Sequence, residues 1–181
     1  MRVQLLIATL PLFPLVLVLK PIKSVFDHPG WLGFGFLITA LILFIGNRFA
    51  AKEKTQAPYR DALFIGIAQA FAIVPGISRS GATISAARLR GFQPLQAALF
   101  SFILSLLTVI GGMGLESIKL MHGEQQTAAI PLYCYITGGA TALLVGIFTL
   151  RLLLRIVGTA KFQLFTWYCA LLGLLTLYYF S

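Results

Sequence analysis

Chemistry is concentrated in one stretch of this chain, Pro75-Gly76-Ile77-Ser78-Arg79-Ser80-Gly81-Ala82-Thr83. It is the only polar, charged, glycine-bearing interruption of an apolar block that runs from Ala62 to Ala87. An unpaired charge at the centre of a bilayer costs roughly 3 kcal/mol even on lenient insertion scales, so Arg79 must face protein, water or a ligand. The residues around it suit an anion. Ser78 and Ser80 are both candidates to cap a following helix, whose first N–H groups have no partner within the helix. Those N–H groups and the positive end of the helix dipole attract phosphate. Arg79 adds a planar fork that meets phosphate oxygens two at a time. Gly76 and Gly81 allow close backbone approach, and Thr83 brings a hydroxyl one turn further on. The competing assignment gives Arg79 a carboxylate or carbonyl partner inside a helix bundle. The chain holds only five Asp and Glu residues, and of these only Glu116 lies within an apparent membrane segment, near its end. That scarcity favours the anion site.

The elements that position this stretch follow from its flanks. The run 61–74 is apolar and helix-like, but about 14 residues cannot cross roughly 30 Å of hydrocarbon. Pro75 cannot continue a helix and Gly76 permits a turn. A second short run starts at Ser80 and ends at Arg88, Arg90 and Gly91. Two half-length helices meeting at a polar tip predict a re-entrant hairpin over 61–91, entering and leaving on one side. The remainder is strongly apolar: 59% hydrophobic, 10% charged, with a mean hydropathy of +0.91. A soluble fold of 181 residues cannot hide that much apolar surface. The sequence therefore predicts one all-α, polytopic membrane domain over 1–181. About five transmembrane helices are expected, at Val3–Leu19, Trp31–Gly46, Pro94–Ser117, Ile130–Leu150 and Phe162–Phe180. Residues 47–60 form the most hydrophilic connection.

The formal net charge of +9 is dispersed through short connections, which argues against a nucleic-acid partner. With the hairpin returning to its own side, Arg2, Arg48, Lys52, Lys54, Arg60, Arg88, Arg90, Arg151, Arg155 and Lys161 share one face. Lys20, Lys23 and Lys119 fall on the other, so the first face is expected to be cytoplasmic. Cys134 and Cys169 lie in apolar segments without metal-ligand spacing and are expected to be small buried hydrophobes. His28 and His122 are far apart, which gives a paired metal site no support. Small residues recur at helical spacing in three places (Gly66 and Ala70, Gly81 and Ser85, and Gly138, Ala142 and Gly146), the pattern that lets helices approach closely in lipid. Phe71, Phe100 and Phe102 suit either a groove for a prenyl chain or ordinary core filling, the commoner use.

Gln69 followed by Pro75-Gly76-Ile77-Ser78-Arg79-Ser80-Gly81-Ala82-Thr83-Ile84 resembles the second signature of the undecaprenyl-diphosphatase family, also called bacitracin-resistance proteins. Phe100-Ser101-Phe102-Ile103-Leu104-Ser105 resembles the helix that follows it, and the likeness runs over nearly the whole chain. The resemblance implies a multi-pass protein of the bacterial inner membrane that hydrolyses undecaprenyl diphosphate to the monophosphate carrier used in cell-wall (peptidoglycan) synthesis. It also implies two inverted repeats, each with a re-entrant hairpin, and a divalent cation, Mg²⁺ or Ca²⁺. The family's first signature, glutamate-rich with serines and a histidine, does not occur here. The chain resembles the family from partway through the first repeat onward, as the second half of the fold. Leu107-Thr108 departs from the family, which often places a proline there. By this likeness Arg79, Ser78 and Ser80 are expected at the reacting phosphates. Gln69, Gly76, Gly81 and Thr83 are expected to hold the substrate, and no residue is assigned to a metal. Gln69 stands where the first repeat carries a glutamate. It suits either a hydrogen bond to phosphate or water, or satisfaction of hairpin backbone. The expected partners are a polyprenyl diphosphate and the membrane, with self-association into a homo-oligomer open. Because no base is in view beside the serines, this chain alone is expected to bind phosphate and to hydrolyse it poorly. The alternative is a protein that binds or moves a polyprenyl phosphate or another anion without catalysis, since re-entrant half-helices also serve transporters.

Overall fold

A computed structural model describes residues 2–12, 30–49, 58–121, 131–157 and 163–180. In chain order the helices are α1 (Arg2–Thr9), α2 (Gly30–Arg48), α3 (Tyr59–Phe71), α4 (Arg79–Leu89), α5 (Pro94–Met121), α6 (Leu132–Val157) and α7 (Gln163–Phe180). Among the described residues, α2, α5, α6 and α7 are long and apolar enough to cross a membrane. The α2 helix, with 19 residues, is about 28 Å long at 1.5 Å per residue. The other expected span, Val3–Leu19, overlaps α1, and its part from 13 onward lies outside the described residues, as do His28, His122 and the lysines at 20, 23, 52, 54 and 161.

The hairpin forms as its sequence dictates. With 13 residues, α3 begins after Pro58 and places Asp61 in its first turn, where a carboxylate meets the positive end of the helix dipole. The chain then turns through Pro75 and Gly76. Gly76 adopts φ +84°, a conformation open to glycine at little cost. Ser78 caps the 11-residue α4, its side chain accepting from the Gly81 N–H. Gly91, at φ +93°, ends the hairpin just before Pro94 opens α5. Asp61, at the start of α3, is wholly buried and paired with Arg90, at the end of α4. The two helices are therefore antiparallel, with both outer ends at one level. Arg90 also lies over the Phe64 ring, its guanidinium carbon 5.5 Å from the centroid.

Three helices enclose the hairpin. Gly35, Gly46 and Asn47 of α2 meet Pro75, Ser85 and Arg88 in turn, so α2 runs parallel to α4 from tip to base. Ser101 and Thr108 of α5 reach Thr83 and Arg79, which makes α5 antiparallel to α4. α7 packs antiparallel on the far side of α2, where Gly33 and Gly173 meet Leu177 and Leu37. The α1 helix rests on α3, with the Ala8 backbone over Gly66. Glycine and alanine recur at these crossings because packing, rather than exclusion of water, holds helices together in lipid. The apolar core lies behind the hairpin and includes Leu43, Ile65, Ile84, Phe92, Phe100 and Leu104. From α6 it receives the C-terminal end, through Val157. Cys134 sits on the outward stretch of α6 and is exposed, contrary to expectation, because none of the described helices covers it; Cys134 and Cys169 are both free thiols.

Candidate anion-binding site at the hairpin tip

The tip is built by α4 and held from behind by α2. A Cβ on Gly35 would lie 2.2 Å from the Pro75 carbonyl oxygen, so the turn can seat against α2 only because that position is glycine. Thr39, one turn further along α2, is buried and places its hydroxyl 2.9 Å from the Gly76 carbonyl and 3.0 Å from that of Gly35. The same hydroxyl accepts the Ser78 N–H at 2.9 Å. Ser78 in turn accepts from the Gly81 N–H at 3.1 Å, and its Oγ lies 3.4 Å from that of Ser80. With the amides of Ser78, Gly81 and Ala82 engaged, those of Arg79 and Ser80 are left open at the helix terminus. Ser80 is exposed, and Ser78 and Arg79 are half-buried.

The arginine is the informative member. Its recorded partner is the neutral hydroxyl of Thr108, at a long 3.4 Å. Among the described residues the one ion pair joins Arg90 to Asp61, and no carboxylate offsets the Arg79 charge. Among the described residues, then, the acid-paired arrangement is the one Arg90 adopts, and Arg79 meets a hydroxyl instead. Thr83 stands behind the tip, its hydroxyl 2.5 Å from that of Ser101 and 3.0 Å from the Arg79 carbonyl. This seam ties the first turn of α4 to α5. An N-terminal amide pair, an uncompensated guanidinium and a solvent-facing serine together can hold a phosphate through charge-assisted hydrogen bonds.

Residues 1–175 match the family model for the bacitracin resistance protein BacA. The chain belongs to that family. It is 42% identical over 179 residues to an undecaprenyl-diphosphatase of Protochlamydia amoebophila, covering 98% of this chain and 70% of that protein. An undecaprenyl-diphosphatase of Carboxydothermus hydrogenoformans is 37% identical over 153 residues, covering 83% of this chain and 59% of the relative. One from Methanococcus vannielii is 36% identical over 160 residues, covering 87% and 61%. The chain thus spans about 60 to 70% of the length of these relatives.

In this BacA-family chain the residues expected from the sequence separate into two sets. Gly76, Ser78, Arg79, Ser80, Gly81 and Thr83 converge on the tip. Gln69 lies inside α3, 1% exposed, with both amide atoms lacking a hydrogen-bond partner. Of the phenylalanines, Phe100 is core, its ring tilted against that of Phe92 with centroids 6.0 Å apart, whereas Phe71 and Phe102 face outward. Sequence reasoning missed Thr39, although it is the only hydroxyl in the span Trp31–Gly46. It also recorded Thr108 only as a departure from the family. That departure is what supplies the contact to Arg79.

The tip by itself does not fit a divalent cation. Such ions take carboxylate and other hard oxygen ligands, and the tip offers a guanidinium and neutral hydroxyls. Among the described residues no group of three His, Cys, Asp or Glu could hold one.

Proposed function

We propose that this chain acts on undecaprenyl diphosphate, hydrolysing it toward the monophosphate lipid carrier, and that the hairpin tip is the part of the site that grips the diphosphate. The observation that carries this reading is the Arg79 guanidinium, placed at the α4 N-terminus and met, among the described residues, by a neutral hydroxyl and no carboxylate. The relatives named undecaprenyl-diphosphatase support the substrate, and bacitracin resistance follows from the same activity. Phosphate transfer needs charge neutralised on the oxygens, a nucleophile and help for the leaving group. Arg79 and the open amides of Arg79 and Ser80 supply the first. Ser78 uses one of its two lone pairs on the helix cap, and Ser80 presents the accessible hydroxyl. Either serine as nucleophile needs a proton acceptor, and no described hydrogen bond joins a histidine or carboxylate to them. A divalent cation, if the reaction uses one, takes its ligands from elsewhere than the tip.

Placement in the membrane follows from charge. Arg48, Arg60, Arg88 and Arg90 gather at the hairpin base, which supports a cytoplasmic side for that end. With Arg48 at that interface, the roughly 20 Å of helix from Gly35 to Arg48 supports a tip within the bilayer. Purified chain in detergent should bind farnesyl diphosphate, and Arg79→Ala should weaken that binding about 30-fold, equivalent to roughly 2 kcal/mol for a lost charged hydrogen-bond set. Unchanged affinity in that variant would remove the tip from the site. Phosphate release by the wild-type chain above ~1 s⁻¹ would show that it contains a proton acceptor for the serines.

A further inference from the structure

The hydroxyl of Thr39 holds both sides of the turn that carries Arg79. Its one proton is shared between the Gly35 carbonyl of its own helix and the Gly76 carbonyl in the turn, and its oxygen accepts from the N–H of Ser78. The contacts to Gly76 and Ser78 bracket Ile77 and fix the peptide planes on either side of it. Gly76 sits at φ +84°, outside any helical ladder, so its carbonyl has no regular partner within the hairpin. Ser78 is the residue whose side chain caps α4. Whatever fixes the Ser78 backbone therefore also sets the direction of the first α4 turn, including the open amides of Arg79 and Ser80. Thr39 itself is 1% exposed and cannot reach a ligand.

We infer that Thr39 is a positioning residue for the diphosphate clamp, acting through Ser78. The inference rests on the tip being the diphosphate site, and it predicts which feature of Thr39 matters. The hydroxyl carries the function; the methyl group only fills space beside α4. A serine at this position would keep both hydrogen bonds. A valine would keep the volume and leave the Ser78 N–H and the Gly76 carbonyl without partners in a dry setting.

The experiment compares the full-length wild-type chain with Thr39→Val, Thr39→Ser and Arg79→Ala in nanodiscs. Farnesyl diphosphate is the probe, with amide hydrogen exchange as a parallel readout. Thr39→Val should bind about tenfold more weakly, the order expected for losing a buried neutral pair of hydrogen bonds, and Thr39→Ser should stay within about threefold of wild type. Exchange should quicken over 76–81 in Thr39→Val alone, with protection at the α3 start and α4 end unchanged. Wild-type affinity in Thr39→Val would overturn the inference. So would Thr39→Ser binding as weakly as Thr39→Val, because the methyl would then be the determinant. Loss of protection throughout α2 and α7 in Thr39→Val would also overturn it, by showing a general packing role. If Arg79→Ala leaves affinity unchanged, the diphosphate assignment of the tip fails. The hydrogen-exchange pattern then decides alone whether Thr39 orders the turn.

Discussion

The hairpin and α6 carry the same small-residue pattern and use it differently. In the hairpin region a Cβ on Gly66 would come within 2.4 Å of the Ala8 carbonyl oxygen, and one on Gly46 within 2.4 Å of the Ser85 side chain. Around Gly138 and Gly146 of α6, no atom of the described residues lies within 4 Å of the corresponding position. Both segments are apolar, and both show small residues four apart. The difference lies in the polar atoms between the glycines. The Ser78 N–H and the Gly76 carbonyl of the turn need partners where water is scarce, and close approach by α2 supplies them through Thr39. The α6 threonines at 137 and 141 satisfy themselves, bonding back to the carbonyls of Tyr133 and Thr137 at 2.8 Å. A stripe of small residues thus permits contact, and unsatisfied backbone compels it.

The widest gap between the two regions is predicted for matched substitutions to valine. Gly35→Val puts a branched side chain into the Pro75 and Gly76 backbone, which cannot swing aside as a side chain would. It should destabilise the chain by about 3 kcal/mol, the upper end for overpacking. Gly138→Val meets open space on α6 and should change stability by less than about 0.5 kcal/mol. The unfolding midpoint in detergent, followed by tryptophan fluorescence, separates the two. Equal losses would mean that α6 is packed in the folded chain and that the contrast is unreal.

A smaller effect tests what the seating of the hairpin achieves. Arg79→Lys keeps the positive charge at the tip and removes the planar fork. Affinity for farnesyl diphosphate should fall about tenfold, less than for Arg79→Ala, since a point charge still attracts phosphate. Wild-type affinity in Arg79→Lys would mean that α2 and α5 hold the tip for charge alone and that fork geometry is irrelevant. Calorimetric titration of the two variants side by side makes the comparison.

Much of the hairpin was legible because its signals are local. Pro75-Gly76 stops one helix, Ser78 caps the next, and neither depends on distant neighbours. The lengths of α3 and α4 followed from the apolar runs that flank them. What the sequence left unresolved is partnership. Asp61 and Arg90 are far apart in the chain and become a pair only when the hairpin closes. Thr39 reads as an isolated hydroxyl in a membrane span until Gly35 brings the turn within reach. Gln69 illustrates the opposite outcome. Its type and place suit either contact with phosphate or water or satisfaction of hairpin backbone, and the fold puts it in the interior with both amide atoms unpartnered among the described residues. The exposure of Cys134 is a further case, since apolar neighbours in sequence do not ensure neighbours in space.

The smallest predicted effect concerns the seam between tip and α5. Thr108 meets Arg79 at 3.4 Å, near the limit of a hydrogen bond, and its hydroxyl already lies 3.0 Å from the Leu104 carbonyl and 2.9 Å from that of Ser105. A guanidinium has five donors, so one long contact to a neutral oxygen contributes little to its orientation. The firm tie between α4 and α5 is instead Thr83 to Ser101, at 2.5 Å and buried. Thr108→Ala should therefore shift farnesyl diphosphate affinity by less than about threefold, under roughly 0.7 kcal/mol. A loss as large as that of Arg79→Lys would show that α5 aims the arginine. The clamp would then be shared by α5 and α4, and the backing by α2 would no longer suffice to explain the site.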